Sequence, residues 1–155
     1  MSAPTTASLE KIKRVVRYIR GEPRVVYDYR WQGQEDLTVY VDTDWAGCFK
    51  SRKSTSGGAI VRGTHLLKHW STTQQTTALS SGEAELKGIA KGAAEGLGLQ
   101  NVGRDLNTEL SIHLYTDWSA AMGMVARKGM ERVRDIEGGG LCIQDAVKRG
   151  MLTVN

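Results

Sequence analysis

The chain has 155 residues, 40% of them hydrophobic and 25% charged, and its formal net charge of +4 permits a polyanionic partner without requiring one. Its length suits one domain with one core, and its two cysteines, Cys48 and Cys142, have neither disulfide-framework nor zinc-site spacing. It shows no secretory leader and no apolar run of about 18 residues, so we expect a soluble, intracellular, cytoplasmic protein.

The first predicted element is a basic amphipathic helix in "SLEKIKRVVRYIRGEP". Apolar residues recur at helical spacing, with Ser8 as the expected N-cap, Gly21 as the C-cap and Pro23 as the stop. The opposite face is cationic and either faces solvent or contacts phosphate. Its basic residues are Lys11, Lys13, Arg14, Arg17 and Arg20.

Strands follow the helix. The alternating runs "VVYDYRW" and "LTVYV" flank the polar turn "QGQED", so they predict a hairpin whose second strand is closed by Asp42. We expect Asp44 to be a turn residue at the exit to the basic loop "KSRKSTSGG". Two further strands, in "AIVR" and "HLLKHWS", flank a turn at Gly63 and continue an antiparallel meander.

The period changes to helical in "ALSSGEAELKGIAKGAAEGLGL". Ser80 and Glu83 have the spacing of a capping box at the start of this helix. Three glycines, Gly88, Gly92 and Gly96, lie four apart on a face that adjoins Glu85. Each glycine weakens a helix by up to about 1 kcal/mol relative to alanine, so their spacing predicts that this face approaches a sheet closely.

The last third of the chain predicts a strand in "LSIHLYTD", with Ile112 and Leu114 on one face and Asp117 at its end. A short helical segment "WSAAMGMVA", a basic loop and a helical stripe through Ile136, Ile143 and Val147 follow. Strands in a row followed by alternating helix and strand indicate the α/β class, with a mixed sheet on which helices pack.

Acidic residues mark the carboxyl ends of two predicted strands. If these strands are parallel neighbours, Asp42 and Asp117 meet in one crevice, and Glu85 with Asp135 or Glu137 can complete a cluster. Such a cluster suits Mg²⁺ or Mn²⁺, and two ions about 4 Å apart can activate water for phosphodiester cleavage.

Spacing alone leaves simpler roles open for each of these acids. Glu85 can favour the helix dipole from a solvent-facing position, and Asp117 can cap a following helix. Asp135 and Glu137 can be ordinary acids in the first turn of the last helix.

Five strings in this order are much more specific: "YVDTDWAGC", "RKSTSGGAI", "HWSTTQQTTALSSGEAEL", "IHLYTDWSAA" and "RVRDIE". Together they resemble the ribonuclease H domain of copia-type (Pseudoviridae-like) LTR retrotransposon polyproteins. The resemblance implies a ribonuclease H-like fold, a mixed five-stranded sheet flanked by helices. It also implies a connecting helical segment from reverse transcriptase at 1–23 and a ribonuclease H domain at 24–155.

The activity that this resemblance implies is hydrolysis of the RNA strand of RNA/DNA hybrids, which leaves a 5′-phosphate. Its implied cofactors are two Mg²⁺ or Mn²⁺ ions per site. Its implied partners are the hybrid and the reverse transcriptase domain of the same polyprotein, in a retroelement that can form virus-like particles.

The family's acidic residues fall on Asp42, Glu85, Asp117 and Glu137. By resemblance, Asp42 bridges both ions, Glu85 and Asp117 hold one, and Glu137 completes the other. The last position departs from the family, since Asp135 replaces a histidine and glycines occupy 138–140. Three glycines cost a helix roughly 2 to 3 kcal/mol, so Asp135 can substitute for Glu137 or the second ion can bind weakly.

Basic residues near these strings are candidates for phosphate contact or for surface solubility alone. They are Lys50, Arg52, Lys53, Arg127, Lys128, Arg132 and Arg134. Trp118 after the third acid is a further departure and either stacks on substrate, obstructs it or packs. Two rivals to the nuclease remain: a degenerate module that binds hybrid or duplex but cuts poorly, and an integrase-like domain that acts on DNA ends.

Overall fold

The structure is a computed structural model that describes residues 5–33, 35–117, 145 and 147–155. The chain divides into two compact units, 1–30 and 31–155. Within the described residues, no helix is both long and apolar enough to cross a membrane.

The first unit contains helix α1, Thr6–Gly21. Its N-cap is Thr5, whose Oγ1 accepts a hydrogen bond from the Ser8 N–H at 3.1 Å. The predicted cap at Ser8 is therefore wrong, because the helix begins one turn earlier on a hydroxyl with the same capping chemistry. None of the residues of α1 is buried.

The second unit contains a five-stranded mixed sheet and the long helix α2, Ser81–Asp105. The strands are β1 (Leu37–Asp44), β2 (Thr55–Arg62), β3 (His65–Thr73), β4 (Ile112–Tyr115) and β5 (Leu152–Val154). Their order in the sheet is β3-β2-β1-β4-β5. The pairs β1/β2 and β2/β3 are antiparallel, whereas β1/β4 and β4/β5 are parallel. The predicted mixed sheet is confirmed, and the predicted antiparallel meander is confirmed for β1, β2 and β3.

The predicted hairpin between residues 25–31 and 37–41 is wrong. Residues 22–33 form no regular secondary structure, and Tyr27, Tyr29 and Trp31 are exposed. Strand β1 already pairs with β2 on one side and β4 on the other, so neither of its edges is free for a further strand. The fifth strand is instead β5, which pairs in parallel with β4.

Strand β1 extends two residues beyond its predicted end. Asp42 pairs with Gly57, and Asp44 is the last strand residue and pairs with Thr55, so Asp44 is not a turn residue. The strand buries alternate side chains, as a strand with one covered face should. The buried residues of β1 are Leu37, Val39, Val41 and Thr43.

Helix α2 packs on the buried face of β1 through its glycines. A Cβ added at Gly92 would lie 2.3 Å from Cγ1 of Val41, and one added at Gly88 would lie 2.4 Å from Oγ1 of Thr43. Real Cβ contacts are not that short, so only glycine permits this approach. The close helix–sheet contact predicted from the glycine spacing is therefore confirmed.

The core lies between α2 and the sheet. Fully buried aliphatic side chains dominate it, and each stabilises the fold by about 1.5 to 3 kcal/mol. The largest are Leu37, Ile60, Ile89, Ile112, Leu114 and Leu152. The parallel register pairs Leu37 with Ile112 and Val39 with Leu114, so β1 and β4 direct their carboxyl ends to the same edge.

Candidate metal centre

Three carboxylates meet at that edge of the sheet. Asp42 lies near the end of β1, Asp117 follows β4 by two residues, and Glu85 is the fifth residue of α2. One oxygen from each carboxylate lies within 4.8 Å of the others. The structure therefore brings together three of the four predicted acids, and among the described residues Asp44 is not part of this group.

The sheet register explains why two of these acids are neighbours. Tyr40 of β1 is paired with Tyr115 of β4. Two residues further along each chain, Asp42 and Asp117 come side by side, since parallel strands advance together. The hypothesis that parallel pairing assembles these two carboxylates is confirmed.

The third carboxylate arrives from above the sheet. Gly88, three residues after Glu85, lies against Thr43 of β1. Because α2 approaches so closely there, the start of the helix lies over the strand ends. Ser80 Oγ fixes this helix start by accepting from the Glu83 N–H at 3.1 Å, as predicted. The Glu83 carboxylate accepts from the Leu79 N–H at 2.7 Å and not from Ser80, so the capping box is shifted by one residue.

Glu85 is held in an environment that opposes its negative charge. Burial raises the pKa of Glu85, and together with the nearby carboxylates of Asp117 and Asp42 it brings that pKa to about 7. Its Oε2 is buried without a hydrogen-bond partner in the described part of the chain. The alternative of a solvent-facing acid that only serves the helix dipole is therefore wrong.

These features fit a divalent cation. A buried, unpartnered carboxylate oxygen beside two further carboxylates is an electrostatic cost that a cation removes. All three donors are hard oxygen ligands, which Mg²⁺ and Mn²⁺ prefer. Asp42, Glu85 and Asp117 are therefore the residues that could hold a metal.

Gln74 supports this arrangement and was not anticipated from the sequence. Its Nε2 donates to Ser56 Oγ at 2.8 Å and to the carbonyl of Ala84 at 2.9 Å. Ala84 precedes Glu85, so this amide ties the second strand to the start of α2. A glutamine in a polar loop carries no sequence signal of this role.

The predicted phosphate-contacting residues fall into two groups. Lys50, Arg52 and Lys53 lie in the loop between β1 and β2, with Arg52 exposed at a φ of 54°. Backbone hydrogen bonds between Arg52 N–H and Cys48 O at 2.7 Å, and between Cys48 N–H and Lys53 O at 3.2 Å, shape this loop. The second group of basic candidates, Arg127, Lys128, Arg132 and Arg134, lies outside the described residues. Trp118 and the two acids Asp135 and Glu137 also lie outside the described residues.

The chain is similar to two proteins of Arabidopsis thaliana. It is 34% identical over 114 residues to the retrovirus-related Pol polyprotein from transposon RE2 of Arabidopsis thaliana, covering 74% of this chain and 8% of the polyprotein. It is 33% identical over 95 residues to the uncharacterized mitochondrial protein AtMg00810 of the same plant, covering 61% of this chain and 40% of that protein. The chain thus spans less than half the length of these two relatives.

A third relative is the secreted RxLR effector protein 161 of Plasmopara viticola, 33% identical over 98 residues, which cover 63% of this chain and 69% of that protein. No protein-family model matches the chain. A solved structure of LC11 ribonuclease H1, isolated from compost by a metagenomic approach, superposes with a TM-score of 0.52 and 17% identity. It covers 78% of this chain and 83% of that one.

The sheet order, the helix on its buried face and this superposition define an α/β domain of the ribonuclease H-like fold. The similarity to transposon Pol polyproteins supports a ribonuclease H domain of a copia-type retrotransposon polyprotein. Both the recognition made from the five sequence strings and the fold that it implied are confirmed.

Proposed function

We propose that this domain is a metal-dependent endonuclease that hydrolyses the RNA strand of RNA/DNA hybrids during reverse transcription of a retroelement. The observation that carries the proposal is the convergence of Asp42, Glu85 and Asp117, whose carboxylate oxygens lie within 4.8 Å of one another. The similarity to Pol polyproteins of plant transposons supports the same function.

In this proposal Asp42, Glu85 and Asp117 hold two Mg²⁺ or Mn²⁺ ions, and Glu137 or Asp135 supplies the fourth carboxylate. Bound ions would activate the attacking water and stabilise charge on the departing oxygen, leaving a 5′-phosphate. The chain itself supplies a half-buried site in which Glu85 gives up its proton when a cation binds. The glycines of α2 keep Glu85 over the strand ends, so they position this ligand.

Substrate recognition in this proposal relies on shape and charge. Lys50, Arg52 and Lys53 contact phosphates from the loop beside the metal centre, and Arg132 and Arg134 act similarly. Contacts to 2′-hydroxyl groups across the wide minor groove select the hybrid over DNA with little sequence preference. The reverse transcriptase domain of the same polyprotein helps to hold the hybrid. The reaction takes place inside the cell.

The decisive experiment compares two aspartates on one face of one strand. Asp42→Asn should reduce cleavage of a labelled RNA/DNA hybrid in Mg²⁺ or Mn²⁺ by at least about 100-fold, since it removes a proposed metal ligand. Asp44→Asn is the matched control and should retain most activity, because Asp44 lies outside the cluster. Equal cutting by the parent and Asp42→Asn would refute the site.

A catalytically weak module that mainly binds hybrid or duplex is the second candidate. The glycines at 138–140 and the aspartate at position 135 favour it, because they weaken the support of the last acid. Metal-dependent cleavage by the parent eliminates this candidate, whereas tight binding without cleavage supports it. Glu137→Gln and Asp135→Asn then assign the fourth ligand, and full activity in both variants would show that it is neither residue.

A further inference from the structure

A cavity of about 240 Å³ lies at the end of the sheet opposite the metal centre. The last turns of α2, the loop that leads into β4 and the turn that precedes β5 surround it. Its lining includes Gln100, Arg104, Glu109, Leu110, Ser111 and Met151. The volume corresponds to about eight water molecules of roughly 30 Å³ each. Sites for drug-sized ligands have about 300 to 1,000 Å³, so this cavity suits a smaller ligand.

The loop after α2 folds back on the helix and forms one wall of the cavity. Asn107 has a φ of 55°, and the Thr108 N–H donates to the carbonyl of Gly103 at 2.8 Å. A Cβ added at Gly103 would lie 2.7 Å from Cδ1 of Leu110, so the glycine lets the loop pack directly on the helix. Contacts within the fold therefore fix this wall.

The inner part of the cavity holds an unsatisfied hydrogen-bond acceptor. Gln100 is 9% exposed, and its Nε2 donates to the carbonyl of Leu110 at 2.7 Å. This bond orients the amide, and Oε1 of Gln100 is buried without a hydrogen-bond partner in the described part of the chain. Because an unpaired buried acceptor is costly, a ligand that donates a hydrogen bond to it is favoured.

The lining also contains one cation and one anion, and neither has an ion-pair partner among the described residues. Arg104 lies one turn after Gln100 on α2 and donates from Nη1 to Asn101 Oδ1 at 3.3 Å. Glu109 lies in the loop that leads into β4. Glu109 would repel a simple anion and Arg104 a simple cation, so a ligand that carries both charges fits the cavity best.

We propose that this cavity binds a small zwitterion of the α-amino acid class. The carboxylate of the ligand accepts from the guanidinium of Arg104, and its ammonium group donates to the carboxylate of Glu109 and to Oε1 of Gln100. Leu110 and Met151 offer apolar surface to an aliphatic side chain of the ligand. A bound amino acid joins the end of α2 to the beginnings of β4 and β5, and it stabilises the folded chain.

The test titrates the full chain with L-leucine and follows binding by nuclear magnetic resonance. Binding should saturate and should shift the side-chain amide resonances of Gln100. Isocaproate lacks the ammonium group of leucine, and isoamylamine lacks its carboxylate. Each should bind at least about tenfold more weakly than leucine, because each loses a charge-assisted hydrogen bond.

Two variants separate the contributions of the two charges. Arg104→Gln should remove the preference for leucine over isoamylamine, and Glu109→Gln should remove the preference for leucine over isocaproate. Asp105→Asn is the matched control, since Asp105 is an exposed acid at the end of the same helix and outside the lining of the cavity. It should leave both preferences unchanged.

Three results would each overturn the site: no saturable binding of leucine, equal affinity for the three compounds, or unchanged preferences in both variants. Water alone would then satisfy Gln100. The cavity lies roughly 20 Å from the metal centre, the length of the six residues from Ser111 to Asp117 along β4. Asp42→Asn should therefore bind leucine as the parent does, and the result is independent of the proposed nuclease activity.

Discussion

Helices α1 and α2 differ in how well their sequence pattern predicts burial. Helix α1 has a clear apolar stripe at helical spacing, yet none of its 16 residues is buried. Helix α2 has three glycines on its inner face and buries nine of its 25 residues, four of them glycine. Apolar periodicity thus shows that a helix is able to pack, whereas burial also requires a surface that fits a partner.

Helix α2 fits closely against β1 because glycines without side chains lie at the contact. At Gly92 and Gly88 the backbone of the helix reaches the side chains of Val41 and Thr43 directly. Glu85 gains its position over the strand ends from this contact. The glycines of α2 lower its helix propensity but also bring Glu85 to the strand ends. Substitutions at these glycines therefore test the comparison between α1 and α2 most severely.

The largest effect is expected from filling the contact between α2 and β1. Gly92→Ala places a methyl group 2.3 Å from Cγ1 of Val41 and should lower the free energy of unfolding by about 2 kcal/mol through overpacking. Chemical denaturation measures the change. Gly98→Ala is the matched control, because nothing lies within 4 Å of its added Cβ, and it should stabilise the protein by up to about 1 kcal/mol. Equal effects at the two sites would break the comparison.

A smaller effect on stability is expected from ionisation of Glu85, the acid that α2 places at the edge of the sheet. The folded-state pKa of Glu85 is about 7, above the ordinary value of 4.5, so folding favours the protonated form. The associated stability is complete below about pH 4.5 and is lost as pH rises through 7. Without divalent metal, the melting temperature of the parent should fall between pH 5 and pH 8.

Glu85→Gln should remove most of this pH dependence. The full shift corresponds to about 3 kcal/mol, and solvent screening at this half-open site reduces the expected change to about 1 to 2 kcal/mol. Added Mg²⁺ should restore the melting temperature of the parent at pH 8 and leave that of Glu85→Gln nearly unchanged. A parent whose melting temperature does not depend on pH would contradict this role for burial.

The smallest effect concerns the caps of the two helices. Ser80→Ala removes the acceptor of the Glu83 N–H and should lower the free energy of unfolding by about 1 kcal/mol, because α2 is part of the core. Thr5→Ala removes the same kind of cap from α1, which buries no residue. It should reduce helix content by circular dichroism without shifting the main denaturation midpoint. A shift as large as that of Ser80→Ala would contradict the comparison.

Local sequence patterns predicted much of the fold. The N-cap of α2, the meander and the buried face of β4 follow from a hydroxyl, a period of two and short apolar runs. The hairpin at residues 25–31 was wrong, although its aromatic alternation is regular, because pairing is decided by which strand edges are free. Strand β5 has only three residues, too few for a periodic pattern.

The sequence predicted which residues form the candidate site better than it predicted their burial and contacts. Family strings selected Asp42 over Asp44, which alternation places on the same face of β1. The half-buried state of Glu85 depends on how closely α2 approaches the sheet, and only the glycine spacing hinted at it. Gln74 acquires its role from contacts between distant segments, so no local pattern identifies it.

Strand β1 is the middle strand of the sheet and is hydrogen-bonded on both sides. Local opening begins at edges and ends, so β3 and β5 should exchange their amide hydrogens with solvent before β1 does. Asp42 is thus attached to the part of the sheet that opens last. Partial unfolding can expose either edge of the domain while the first metal ligand keeps its place.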